Sequence, residues 1–145
     1  MSKVEDFLTK EEEQEIVEAI RIAEKNTSGE IRVHIEKTTS MDAYDRAMEV
    51  FHELKMDETE LKNGVLIYLA VVDKHFVICG DKELNDLVSN DFWDCTRDIM
   101  VNDFKLGNYK QGLIDGILNA GEQLKKHFPF QDGDTNELSN EISKG

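Results

Sequence analysis

The chain has 145 residues, 39% of them hydrophobic and 33% charged, with a net charge of −14. That length suits one soluble domain with its own core, and the charge repels nucleic acid at long range. No apolar run approaches the roughly 18 residues of a membrane helix. The acidic start MSKVEDFLTKEEEQ also lacks the parts of a secretory signal, so cytoplasmic residence is expected.

Residues 9–25, TKEEEQEIVEAIRIAEK, read as a helix. Thr9 and Glu12 match a capping box, and Ile16, Val17, Ile20 and Ala23 share a face. Asn26-Thr27-Ser28-Gly29 ends it. Residues 30–37, EIRVHIEK, alternate strictly. Ile31, Val33 and Ile35 take one face and Arg32, His34 and Glu36 the other, as in a half-buried strand near a sheet edge.

Residues 42–55 return to a helical period on Ala47, Val50, Phe51 and Leu54. An acidic loop with Asp57, Glu58 and Glu60 follows, closed by Asn63-Gly64. The apolar run VLIYLAVV, residues 65–72, suits a central strand covered on both faces. After Asp73-Lys74, HFVICG returns as the second arm of a hairpin.

Residues 81–90 form a loop or short helical turn, and 91–106 read as a helix with Phe92, Ile99, Met100 and Phe104 inward. Gly107-Asn108 breaks it, and 109–127 form the last helix on Leu113, Ile117, Ala120 and Leu124. Its end carries Lys125, Lys126 and His127, where cations suit the helix dipole. Pro129 stops it, and residues 130–145 form a polar, aperiodic tail expected to be mobile.

The β-α-β segment implies a parallel pair with a right-handed crossover. The hairpin adds an antiparallel third strand, giving a small mixed sheet between helical layers.

This topology gathers acids. The first two strands start at one end of the sheet, at Glu30 and at Asn63-Gly64, and the third exits there, at Gly80-Asp81. The next helix leaves from the same end with Asp91 and Asp94 in its first turn. Crowded carboxylates repel unless they spread into water, protonate or share a cation. Oxygen ligands without nitrogen or sulfur favour calcium, magnesium or manganese. The candidate metal ligands are Glu30, Asn63, Asp81, Asp91 and Asp94. The competing reading leaves Asp91 and Asp94 to the helix dipole and Asp81 to a turn.

Other features carry less. DGDTNE, residues 132–137, mimics the start of a calcium loop. Glu137 stands where that loop needs glycine, and Ser143 where it needs a bidentate glutamate. Gly112, Gly116 and Ala120 put small residues one turn apart, for close packing on the sheet. Cys79 and Cys95 form no CxxC, which leaves zinc unsupported, and Cys79 reads as a buried, inert thiol. His34, His52, His75 and His127 are scattered. No phosphate-cradling loop, GxSxG or HExxH occurs.

The run NGVLIYLAVVDKHFVICGD, with SGEIRVHI upstream and GNYKQGLIDGI downstream, resembles the TPM domain. The resemblance covers roughly residues 5–129 as a single domain. It implies an α/β/α sandwich and binding of a divalent cation, calcium in particular. A plant thylakoid member is associated with acid phosphatase activity and photosystem II repair, and an animal member is an accessory protein of a receptor channel. Many bacterial relatives carry a signal peptide and a membrane anchor, and neither is legible here.

The expectation is an interaction or accessory module that takes up calcium, or alternatively magnesium, for a protein partner not specified by the sequence. No nucleic-acid partner and no membrane span are expected. The alternative is a metal-assisted acid phosphatase with Asp81 as base or nucleophile and Lys82 the nearby cation.

Overall fold

A computed structural model describes residues 8–25, 27–58, 63–88, 91–129 and 142–144, with the side chains of residues 83 and 87 left aside. Glu60, the DGDTNE loop and most of the expected tail lie outside the described residues.

The elements are α1 (Lys10–Glu24), β1 (Glu30–Glu36), α2 (Ala43–Glu53), a 3-10 turn (Met56–Glu58), β2 (Gly64–Ala70), β3 (His75–Gly80), α3 (Lys82–Leu87), α4 (Asp94–Lys105), α5 (Tyr109–His127) and β4 (Ser143–Lys144). The α1 capping box forms as expected: Glu12 N–H donates to Thr9 Oγ1 at 3.1 Å, and Thr9 N–H donates to Glu12 Oε1 at 3.0 Å. Asp42 caps α2 by accepting the amides of Tyr44 and Asp45 at 3.1 and 3.3 Å.

The sheet order is β3-β2-β1-β4. β1 and β2 run parallel, with Glu30 opposite Gly64, and β3 returns antiparallel, with Gly80 opposite Val65. The described strands thus form the expected mixed sheet, and the short β4 adds a parallel pairing on β1 at His34 and Ile35. The sequence offered no strand at Ser143.

Side-chain alternation sends the sheet's residues into two cores. Ile31, Val33, Ile35, Val65, Ile67, Leu69 and Ile78 pack with α1, α4 and α5. Leu66, Tyr68, Ala70 and Cys79 pack with Ala47, Val50 and Phe51 of α2. The result is an α/β/α sandwich.

Two expectations need correction. β1 is not half buried: among its residues only Arg32 is more than marginally exposed, and His34 and Glu36 are each 4% exposed. His34 and Glu36 on its polar face are sealed by hydrogen bonds to Ser143, Arg46 and Tyr68. Also, Gly112 and Gly116 of α5 serve packing on α4 rather than on the sheet. A Cβ on Gly112 would fall 2.4 Å from Phe104, and one on Gly116 would fall 2.5 Å from Met100 Sδ, both on α4.

Two devices fix the chain's turns at the ends of these helices. Gly107 adopts φ +79° after α4, the left-handed conformation that glycine accepts without steric cost. The end of α5 is pinned to the approach to β1, where Ser28 N–H donates to the Phe128 carbonyl at 2.9 Å. No described helix is long and apolar enough to cross a membrane.

Candidate functional site

Backbone hydrogen bonds bring three of the five candidate ligands to one rim of the sheet. Glu30 N–H donates to the Asn63 carbonyl at 3.4 Å, and Asp81 N–H donates to the Gly64 carbonyl at 2.9 Å. All three residues are buried: Glu30 and Asp81 are 4% exposed and Asn63 is 1% exposed. The Asp81 carbonyl accepts Asn85 N–H at 2.9 Å, and Asn85 Nδ2 donates to the Gly80 carbonyl at 3.1 Å. Asp81 therefore does begin the turn into α3, as the plainer sequence reading held. Its carboxylate is nonetheless buried rather than spread into water.

The other two candidates are exposed. Asp94 opens α4, and its carboxylate meets Arg97 at 3.2 Å. The Asp91 carbonyl accepts Asp94 N–H at 3.1 Å. Nearby in sequence to the rim, the acidic loop starts with Asp57, whose carboxylate lies 3.3 Å from His52. Among the described residues no group of three or more His, Cys, Asp or Glu side chains stands ready to enclose a metal ion.

Sequence reasoning missed Glu24. Its Oε2 accepts Ile31 N–H at 3.1 Å, which sets a second carboxyl beside Glu30 at the start of β1. Burial raises its pKa, the Ile31 hydrogen bond opposes the rise and the charge of Glu30 adds to it, leaving the group at about 7. One signal was available: an acid in the last turn of a helix sits against the dipole.

Asn63 gives a test of fit for a hard cation. Its Nδ2 is buried with no hydrogen-bond partner among the described residues. A buried amide donor without an acceptor is costly. Exchanging the amide's O and N, which have nearly the same shape, puts an oxygen there instead. An oxygen in that position suits a cation.

A second polar cluster occupies the α2 face of β1. Glu36 accepts from Arg46 Nε and Nη2, both at 2.9 Å, lies 3.0 Å from His34 Nε2, and accepts from the Tyr68 hydroxyl. Burial by itself would raise the Glu36 pKa. The hydrogen bonds from Arg46, Tyr68 and His34 more than offset that and hold it at about 2. On the other side of the ring, His34 Nδ1 meets Ser143 Oγ at 2.9 Å, which ties β4 to the sheet. Every polar atom here has a structural use. The sequence signal was Tyr68, whose hydroxyl needs a partner inside an otherwise apolar strand.

Arg32, two residues along from Glu30 on the same face of β1, is different. Its Nε is buried and has no hydrogen-bond partner among the described residues, and burial lowers its pKa. Cys79 behaves as its place in β3 suggested: it is buried and its thiol is pushed up to about 12.

With this geometry in place, the relationships of the chain are clear. The TPM domain matches residues 1–123, and the chain belongs to the TPM domain family. The solution structure of the BA42 protein from the psychrophilic bacterium Bizionia argentinensis is 66% identical, with all of both chains covered and a TM-score of 0.93. The N-terminal domain of a protein from P. gingivalis is 19% identical over 84% of this chain and 79% of that one, with a TM-score of 0.68. The N-terminal domain of cg2496 from Corynebacterium glutamicum is 11% identical over 95% and 80%, with a TM-score of 0.61. The last two are alike in fold alone. No curated protein matches the sequence.

Proposed function

We propose that this chain is a divalent-cation-binding module that takes calcium at the rim formed by Glu30, Asn63 and Asp81. The observation that carries the reading is the burial of Glu30 and Asp81 at one end of the sheet, on either side of the start of β2, with the Glu24 carboxyl beside Glu30 raised to about 7. Carboxylates crowded at one buried rim repel, and a cation shared between them relieves that repulsion beyond what hydrogen bonds within the fold supply. Carboxylate and amide oxygens in an irregular arrangement suit the flexible shell of calcium better than the octahedron magnesium demands. Magnesium is the competing ion.

Asp91 and Asp94 belong to the outer part of this shell, reached through water. Asp94 gives up little on leaving Arg97, because an exposed ion pair is worth at most about 1 kcal/mol. Binding ties the end of α1, the start of β2 and the start of α3 together, and so presents an ordered rim to a protein partner. The free thiols of Cys79 and Cys95 suit a reducing compartment, the cytoplasm.

Amide shift mapping with calcium and with magnesium tests the reading. Saturable shifts centred on residues 28–31, 63–65 and 80–82, with smaller ones at 23–25 and 91–97, are expected, and both Glu30→Gln and Asp81→Asn should abolish them. Shifts limited to residues 132–137 would place the ion in the tail instead.

The alternative of a metal-assisted acid phosphatase draws support from Arg32 alone, an incompletely satisfied guanidinium on the same strand face as Glu30. It requires cation-dependent turnover of p-nitrophenyl phosphate that is lost in both Arg32→Ala and Asp81→Asn. Absence of turnover leaves the binding module.

A further inference from the structure

At the end of the sheet opposite the carboxylate rim lies a groove of about 340 Å³ with no acidic side chain in its lining. Three aromatic rings form its walls. Phe76 of β3 meets Phe104 of α4 edge-on at 5.2 Å, and Phe104 stacks on Tyr109 of α5 at 5.2 Å. Val101 contributes an aliphatic wall, and Lys74 and Lys105 stand at the groove. Both lysines are exposed, and neither forms an ion pair among the described residues.

The backbone holds these parts in place. Lys74 sits in the hairpin turn with φ 56°, and Lys105 ends α4. Phe104 lies over Gly112, where a Cβ would come within 2.4 Å of its ring. The Phe104 and Tyr109 walls are therefore set by the α4–α5 packing before any ligand arrives.

We propose that this groove binds a small planar aromatic carboxylate. The ring would stack among Phe76, Phe104 and Tyr109, where offset and edge-on aromatic contacts add to the burial of apolar surface. The carboxylate would face Lys74 and Lys105. The volume lies at the small end of the range for ligand pockets, about 300–1,000 Å³, which limits the ligand to one or two fused rings. A strongly acidic surface disfavours anions at long range, so an anion needs local contacts, and a groove lined by two cations and no acid offers them.

The test is amide shift mapping of the full chain with 2-naphthoate, and with 2-naphthylmethanol and octanoate as comparisons. Saturable shifts centred on residues 74–76 and 101–109 are expected for 2-naphthoate. The neutral alcohol and the aliphatic acid should each bind at least about tenfold more weakly. Lys74→Asn with Lys105→Gln should weaken 2-naphthoate by about tenfold, from two exposed charge contacts. These replacements touch only exposed side chains, and asparagine tolerates the left-handed backbone at position 74. Val101→Trp should fill the groove and abolish binding. Equal affinity for the alcohol or for octanoate, or binding unchanged in the lysine variant, would overturn the proposal.

Discussion

Glu24 lies against Glu30 at the foot of β1, held there by the 3.1 Å hydrogen bond from Ile31 N–H to its Oε2. Burial, opposed by that bond and reinforced by the charge of Glu30, lifts its carboxyl from 4.5 to about 7. Between those values the folded chain keeps a proton that the unfolded chain has released, so stability falls as pH rises through that window. Urea denaturation across it should show wild type losing on the order of 1–2 kcal/mol relative to Glu24→Gln, after allowance for solvent screening. Saturating calcium should shrink the loss, because a cation favours the ionised form. Parallel pH profiles for the two proteins would contradict the assignment.

The Glu36 cluster has the opposite sign. With the folded group at about 2 and its ordinary value at 4.5, its contribution is complete above pH 4.5 and is lost as pH falls toward 2. Arg46→Ala leaves the Glu36 carboxylate buried without its bidentate partner and should cost about 3 kcal/mol. Tyr68→Phe removes one hydrogen bond to a charged acceptor and should cost about 1.5–3 kcal/mol. Both are read from urea midpoints at neutral pH. A cost for Arg46→Ala no larger than that of an exposed ion pair would show that the cluster is solvated.

Gly116 faces Met100, which has no exposed surface, and a Cβ there would fall 2.5 Å from its sulfur. Alanine gains about 1 kcal/mol in helix propensity over glycine, while overpacking costs about 1–3 kcal/mol. Gly116→Ala should therefore destabilise by about 1 kcal/mol net. Shortening Met100 to alanine in the same chain should relieve the clash, giving a favourable coupling above about 0.5 kcal/mol in a double-mutant cycle. Independent, additive effects would mean that α4 can move away without cost.

The two thiols should separate by reactivity. Cys79 is 3% exposed and its thiol is pushed up to about 12, whereas Cys95 is exposed. Because the thiolate is the reacting species, a disulfide reagent should label one thiol rapidly in the native protein and the second only on unfolding. Rapid labelling of both would place the β3 end of the sheet in frequent local opening.

Much of the fold was legible because its elements announce themselves locally. The capping box at Thr9 and Glu12 and the apolar run of β2 each have one physical reading, and the structure follows them. The Glu30, Arg32, His34 and Glu36 face misled because alternation distinguishes apolar from polar but not exposed from satisfied. Glu36 is buried on account of Arg46, a helical residue ten positions away, and Tyr68, thirty-two away. Chain direction was enough to bring Glu30, Asn63 and Asp81 to one rim, since parallel starts and an antiparallel exit must share an end. It could not tell that Asp91 and Asp94 are exposed while Glu30, Asn63 and Asp81 are buried. Glu24 escaped notice because its place depends on how α1 docks, not on the chain's local pattern.

Calorimetric titration with calcium, on wild type and on a Glu30→Gln, Asp81→Asn double variant, is the most direct measurement. Wild type should bind one ion with modest affinity and release part of a proton near pH 7 as Glu24 ionises, while the double variant should show no saturable heat. Equal binding by both proteins, or no binding by wild type at millimolar calcium, would contradict a cation site at this rim.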